Sequence, residues 1–208
     1  MTSLRGWWEQ LTGTTCPGCG KPLRQPTLCF ECQGALVPRH VPGFIYLGTY
    51  QRFGNLSRAI KYRGQRSLAL LLGQKMALGV RQAEWGLDGV TAVPTLLQRK
   101  ITRGYNQAEL LAQAAASELG IPYKSVLSRT ALDKSQTEKT LLRRLQLSHA
   151  TFRPASRVKG IWLLVDDVVT TGTTFERARK ALLEAGAARV YGAAIAVKSP
   201  HDLSRYSL

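Results

Sequence analysis

Residues 161 to 174 read Ile161-Trp-Leu-Leu-Val-Asp-Asp-Val-Val-Thr-Thr-Gly-Thr-Thr174. The apolar run Ile161 to Val165 is far too short to span a membrane. Bounded by Gly160 and two acids, it has the pattern of a strand buried on both faces, as in a parallel α/β sheet. Asp166 and Asp167 then fall at the carboxyl end of that strand, where open α/β sheets place ligand sites. A loop of small hydroxylated residues and one glycine follows: Thr170, Thr171, Gly172, Thr173 and Thr174. Phe175 to Ala185 has helical composition, so the loop opens onto a helix N-terminus, whose amides and dipole favour an anion. Carboxylates beside an anion cradle point to one ligand carrying both hydroxyls and a phosphate.

The run from Trp162 to Thr174 resembles, at every defined position, the phosphoribosyl-pyrophosphate (PRPP) signature of type I phosphoribosyltransferases. The resemblance implies that Asp166 and Asp167 hold the ribose hydroxyls as catalytic carboxylates. It also implies that the amides and hydroxyls of residues 170–174 hold the 5-phosphate and that magnesium accompanies PRPP. A Walker B strand is likewise apolar and ends in acids. Its companion loop G-x-x-x-x-G-K-[ST] is missing, since Gly20-Lys21 is followed by Pro22.

The chain of 208 residues suffices for one α/β domain and a small module. A hydrophobic content of 44% excludes wholesale disorder. Met1 to Gln10 lacks the apolar core of a signal peptide, and no apolar run approaches a transmembrane length, so a cytoplasmic location without membrane insertion is expected. The net charge of +16 is uneven: +7 over residues 1–90, +8 over 91–160 and +1 over 161–208. A phosphorylated substrate asks for a few cations only. The excess is either a solvated basic surface or the footprint of a polyanion such as nucleic acid.

All four cysteines lie in Cys16-Pro-Gly-Cys19 and Cys29-Phe-Glu-Cys32. Two C-x-x-C pairs supply four thiolates, enough to close a tetrahedral zinc site with no open position, hence a structural one. Disulfides are disfavoured in a cytoplasmic protein, and a redox C-x-x-C needs only one pair at the start of a helix. Lys21 and Arg24 are basic groups that this module can present to a partner. Upstream, Leu4, Trp7, Trp8 and Leu11 have the spacing of a short packing helix.

Strands are expected over Phe44 to Tyr50, Gly89 to Pro94, Pro122 to Leu127 and Ala188 to Val197. Helices are expected over Asn55 to Tyr62, Leu68 to Val80 and Gly104 to Gly120. After the second strand come Pro94, Thr95, Arg99 and Lys100, with Arg103 beyond. Cations at a strand end opposite the acid pair suit a pyrophosphate, and in type I phosphoribosyltransferases this loop binds that group. Residues 128–156 are basic, lack periodicity and carry Arg143 and Arg144. A loop of that length is functional or disordered, and in the resembled enzymes a mobile loop closes over the substrates here. Arg103, Arg143 and Arg144 are the candidates for contacts to single-stranded DNA. None of His40, His149 and His201 lies in a recognisable catalytic constellation.

The chain as a whole resembles the ComF (GntX-like) family, linked to DNA uptake in natural competence. The resemblance rests on the cysteine pairs, on Lys61-Tyr62-Arg63-Gly64, on Arg103-Gly-Tyr-Asn-Gln107 and on the signature ending at Thr174. It departs at Thr95-Leu96, where the family often has x-Pro, and at Gln146, where it often has Asn. The expected architecture is an α/β, type I phosphoribosyltransferase-like parallel sheet flanked by helices. It divides into a helix and zinc module over 1–40, a hood segment over 41–84, the phosphoribosyltransferase domain over 85–199 and a tail over 200–208. The expected function is that of a PRPP-binding phosphoribosyltransferase in DNA uptake. The alternative is a single-stranded-DNA-binding accessory, or a PRPP-sensing regulator without turnover. The expected partners are PRPP, with single-stranded DNA and other DNA-uptake proteins as further candidates.

Overall fold

The computed structural model describes residues 15–23, 27–63, 66–95, 105–129, 152–200 and 203, with 61–63 described by their backbone alone. The helix expected near Trp7, Arg24, Gly64, the cations Arg99, Lys100 and Arg103, and the pair Arg143 and Arg144 lie outside the described residues. In chain order the elements are α1 (Phe30–Gly34), β1 (Arg39–Val41), β2 (Phe44–Thr49), α2 (Tyr50–Arg63), α3 (Arg66–Gln82), β3 (Gly89–Ala92), α4 (Gln107–Leu119), β4 (Leu127–Arg129), β5 (Phe152–Pro154), β6 (Ile161–Val169), α5 (Thr173–Glu184) and β7 (Arg189–Val197).

Five strands form one sheet in the order β1-β2-β7-β6-β3. The pairs β2–β7, β7–β6 and β6–β3 are parallel. The expected parallel sheet is therefore present, with one addition: β1 turns back on β2 through the tight turn at Gly43 (φ +73°) and makes an antiparallel edge. The segment 41–84, expected as a hood, contributes β2 to this same sheet. The aperiodic segment 128–156 is anchored at both ends by a small antiparallel pair, β4 with β5. Ahead of it Tyr123 makes only a single bridge to Val90, so the strand expected over 122–127 starts at Leu127 instead.

The apolar runs of β2 and β6 follow from burial on both faces. Leu163 and Val165 pack with Ile45, Leu47, Leu72, Met76 and Leu111, beneath α2, α3 and α4. Trp162 and Leu164 pack with Phe44, Phe175 and Leu182, beneath α5. Phe44 and Phe175 meet edge to face, centroids 5.0 Å apart. The helices bring their own stop and start signals. Asn106 caps α4 through Ala108 N–H, and Gly120 ends it in the left-handed conformation (φ +70°). The cysteine segment is tied to the first core by Cys16, Leu28 and Leu36, all buried.

Candidate active site and metal centre

The site arises because β6 is longer than its neighbour. The β3–β6 pairing ends at Ala92 opposite Val165, with one further bond from Val93 N–H to the Val165 carbonyl at 2.9 Å. Pro94 follows, and having no N–H it cannot continue the ladder. On its other side β6 keeps pairing with β7 as far as Val169 opposite Val197. Asp166 and Asp167 thus stand past the end of β3 on a strand still held firmly by β7. A cavity of about 230 Å³ opens here. Its lining includes Pro94, Thr95, Asn106, Gln107, Arg129, Asp166, Asp167, Thr170, Thr171, Gly172 and Thr174.

The two acids have different surroundings. Asp166 is buried, 9% exposed, and its Oδ1 accepts the Asp167 N–H at 2.8 Å. A carboxylate at a strand end is ordinarily solvated, and Asp166 departs from that by its burial. Asp167 is half-buried, and its Oδ2 accepts a hydrogen bond of 2.5 Å from the hydroxyl of Ser57 on α2. Ser57 is itself 2% exposed. A neighbouring helix therefore holds this carboxylate in place.

The loop behind the acids ends at Gly172, the N-cap of α5, in the left-handed conformation with φ +74°. Glycine adopts that conformation without a Cβ penalty. It also brings no side-chain oxygen to the amides of the first turn, which a Ser or Asp cap would engage. Thr171 and Thr173 hydroxyls lie 3.2 Å apart. Thr173 is absent from the cavity lining, unlike the other four loop residues.

On the opposite wall, Asn106 fixes the start of α4. Its Oδ1 accepts from Ala108 N–H at 3.2 Å and its Nδ2 donates to the Val93 carbonyl at 3.1 Å. The end of β3 and the first turn of α4 are thereby locked together. Tyr105 donates through its hydroxyl to the Ile60 carbonyl at 2.5 Å and packs on the first core.

The four cysteines converge, their sulfurs all within 4.8 Å of one another. Cys16 begins a turn closed by Gly20 N–H to the Cys16 carbonyl at 2.8 Å. Cys29 N-caps α1 and accepts from Cys32 N–H at 3.4 Å, while Cys29 N–H donates to Cys16 Sγ at 3.4 Å. Gly18 is required for close approach: a Cβ there would lie 2.8 Å from Cys32 Sγ. Burial pushes the Cys16 thiol up, but amide hydrogen bonds from Cys29, Cys19 and Gly18 outweigh it and bring it from 9.0 to about 7. Burial and the neighbouring sulfurs push Cys32 up. Four sulfurs at this spacing can hold a metal ion. Lys21, expected to face a partner, pairs with Glu31 at 2.6 Å.

The family model of the phosphoribosyl transferase domain matches residues 106–205. The DNA utilization protein YhgH of Salmonella typhimurium is 32% identical over 188 residues, 84% of this chain and 80% of that protein. Competence protein ComFC of Bacillus subtilis is 28% identical over 197 residues, 89% and 78% of the two chains. Competence protein F of Haemophilus influenzae is 28% identical over 200 residues, 82% and 85%. The chain belongs to the ComF family.

In this ComF family member the structure brings together Asp166, Asp167, Thr170, Thr171, Gly172, Thr174, Pro94 and Thr95 around one cavity. The cysteines Cys16, Cys19, Cys29 and Cys32 form a separate cluster. Ser57, Gln107 and Arg129 were not singled out from sequence. Gln107 did stand in a motif of the ComF resemblance, but nothing in its spacing gave it a chemical role. Ser57 is 110 residues from Asp167 and carries no local signal. His40, with Nε2 at 3.0 Å from the Gly79 carbonyl, is engaged away from the cavity. Among the described residues no helix is long and apolar enough to cross a membrane.

Proposed function

We propose that the chain binds magnesium-PRPP in the cavity beyond β3 and β6 and transfers its phosphoribosyl group, acting in DNA uptake in the cytoplasm. The observation that carries this reading is the joint lining of one cavity by the acid pair and the 170–174 loop. Asp166 and Asp167 would accept hydrogen bonds from the ribose hydroxyls, and the hydroxyls and first-turn amides at 170–174 would hold the 5-phosphate. Pro94 and Thr95 would border the pyrophosphate, with Arg99 and Lys100 as candidate cations beside it.

Displacement at the anomeric carbon passes through a cation-like state. Two nearby carboxylates favour that state electrostatically, and a sugar held at both ends is already oriented for attack. Magnesium carried in with the substrate would supply positive charge to the diphosphate. The cysteine cluster would hold one structural zinc. Arms of about 2.3 Å to four sulfurs match the Cys19–Cys29 separation of 3.7 Å, which is much too long for a disulfide.

A second reading is favoured by the basic excess before residue 161 and by relatives whose names refer to DNA utilization and competence. In it the chain is a single-stranded-DNA-binding accessory that keeps the PRPP site, using Arg103, Arg143 and Arg144. The deciding experiment follows pyrophosphate release from PRPP against a panel of bases, ammonia, nucleosides and DNA. Release with any acceptor supports the enzyme. DNA binding without release supports the accessory, and absence of PRPP binding refutes both forms of the site.

A further inference from the structure

We propose that Ser57 is a positioning residue for the sugar: its hydroxyl fixes the Asp167 carboxylate, so that the acid pair takes the two ribose hydroxyls as a set and discriminates against a deoxy sugar. The proposal rests on the PRPP reading of the cavity and adds to it a residue and a specificity.

Ser57 lies on α2, 110 residues from the acid it meets, and its Oγ donates to Asp167 Oδ2 at 2.5 Å. That length belongs to a hydroxyl bonded to an ionised carboxylate, the stronger class of hydrogen bond. A hydroxyl has a single proton to donate. A serine inside a helix ordinarily gives it to the carbonyl one turn back or points it at solvent. Ser57 is 2% exposed and directs its proton across to β6. The donor is also firmly seated. Phe53, Leu56 and Ile60, around it on α2, are all buried in the first core. The Ile60 carbonyl accepts from the Tyr105 hydroxyl, one residue before the Asn106 that is pinned to the end of β3.

An aspartate carboxylate turns readily about its last bond, because that torsion has broad wells. The Ser57 hydroxyl removes this freedom from Asp167. The Asp167 N–H, donating to Asp166 Oδ1 at 2.8 Å, does the same for the other acid. Both acids line the cavity. Two carboxylates held in place match two adjacent hydroxyls at one spacing and do not re-aim when one hydroxyl is missing. A site built to hydrogen-bond a hydroxyl rejects an analogue without it, because the protein group is left unpaired. Without its holder, Asp167 turns to water or to the remaining hydroxyl, and the discrimination narrows.

The test uses the full-length protein, with Ser57→Ala, a change that suits a helix interior, and with Asp167→Ala alone and combined with it. A thermal melt checks that each variant is folded. Calorimetric titrations in magnesium buffer use PRPP, ribose 5-phosphate and the 2-deoxy and 3-deoxy analogues of ribose 5-phosphate as probes. Wild type is expected to bind ribose 5-phosphate about ten-fold or more tighter than either analogue. Ser57→Ala should lose about three- to ten-fold in affinity for PRPP and ribose 5-phosphate, and less than about two-fold for the one analogue that lacks the hydroxyl met by Asp167. In the Asp167→Ala background the same change should alter PRPP affinity by less than about two-fold, since Ser57 acts through that carboxylate. Unchanged affinities in Ser57→Ala, an equal loss for all four probes, or a full further loss on top of Asp167→Ala would overturn the role of Ser57 and leave the PRPP site standing. A wild-type protein that binds neither PRPP nor ribose 5-phosphate would instead overturn the reading of the cavity itself.

Discussion

Replacing Asp166 and Asp167 together with asparagine keeps the shape of the cavity floor and removes both charges. Hydrogen bonds to an ionised acceptor contribute about 1.5–3 kcal/mol each. Two of them to the ribose make the expected loss about 3–6 kcal/mol, or about 10²–10⁴-fold in PRPP affinity. The fold should tolerate the change. Asn at 166 retains an Oδ1 for the Asp167 N–H, and Asn at 167 retains an acceptor for the Ser57 hydroxyl. Asp166 is 9% exposed, so the double variant also relieves some of the cost of burying a carboxylate. The expected stability change is within about 1 kcal/mol. Calorimetry in magnesium buffer measures the affinity, and a thermal melt by circular dichroism checks the fold. Ser57→Ala grades the effect: it leaves both carboxylates but removes the Ser57 hydrogen bond to Asp167, and should weaken PRPP by about ten-fold or less. A folded double variant that binds PRPP as tightly as wild type would refute the assignment of the acids to the ribose.

Four other outcomes are expected. The purified protein should carry one zinc per chain, and Cys29→Ser should lose it and loosen the segment around α1 while the sheet persists. Zinc contributes on the order of 10–16 kcal/mol to isolated modules of this kind, and metal analysis finding none, with paired disulfides, would overturn the site. Asn106→Ala removes both a helix cap and the bond to the Val93 carbonyl, so urea denaturation should register a loss of about 1–3 kcal/mol, against which an unchanged midpoint would count. In Gly73→Ala the new Cβ would sit 2.4 Å from Ala114 Cβ. Overpacking of about 1–3 kcal/mol should then exceed a helix-propensity gain of about 1 kcal/mol, and a stabilised variant would contradict the close α3–α4 contact. Single-stranded DNA should bind with a log–log salt slope near −3, about four phosphates at roughly −0.7 each, and Arg143→Ala with Arg144→Ala should flatten it by about 1.4 units. Fluorescence anisotropy showing no binding at low salt would reduce the basic excess to a solubility feature.

Local chemistry made much of this protein legible in its sequence. The apolar run Ile161 to Val165 announces a strand buried on both faces because every residue in it avoids water, and the two cores on either side of β6 are the result. Gly172 and the threonines around it announce a loop that turns into a helix start, since glycine takes the left-handed turn. Two C-x-x-C pairs announce a four-sulfur cluster, since their spacing is that of a closed metal site. Each signal is written within a few residues of the chemistry it serves.

The tertiary structure alone decided what those signals meet. That β6 outruns β3, so that the acids stand beside an opening, depends on where two strands distant in sequence cease to pair. The Ser57 hydroxyl reaches Asp167 because α2 packs against that strand, and the burial of Asp166 shows only in the folded chain. The antiparallel β1 and the β4–β5 pair are three-residue strands, too short for a periodic signal to rise above their surroundings. Gln107 reads in sequence as one polar residue at the head of a helix. Only the lock between Asn106 and Val93 sets it in the wall of the cavity, because hydrogen bonds between remote segments leave no periodic trace in the chain that makes them.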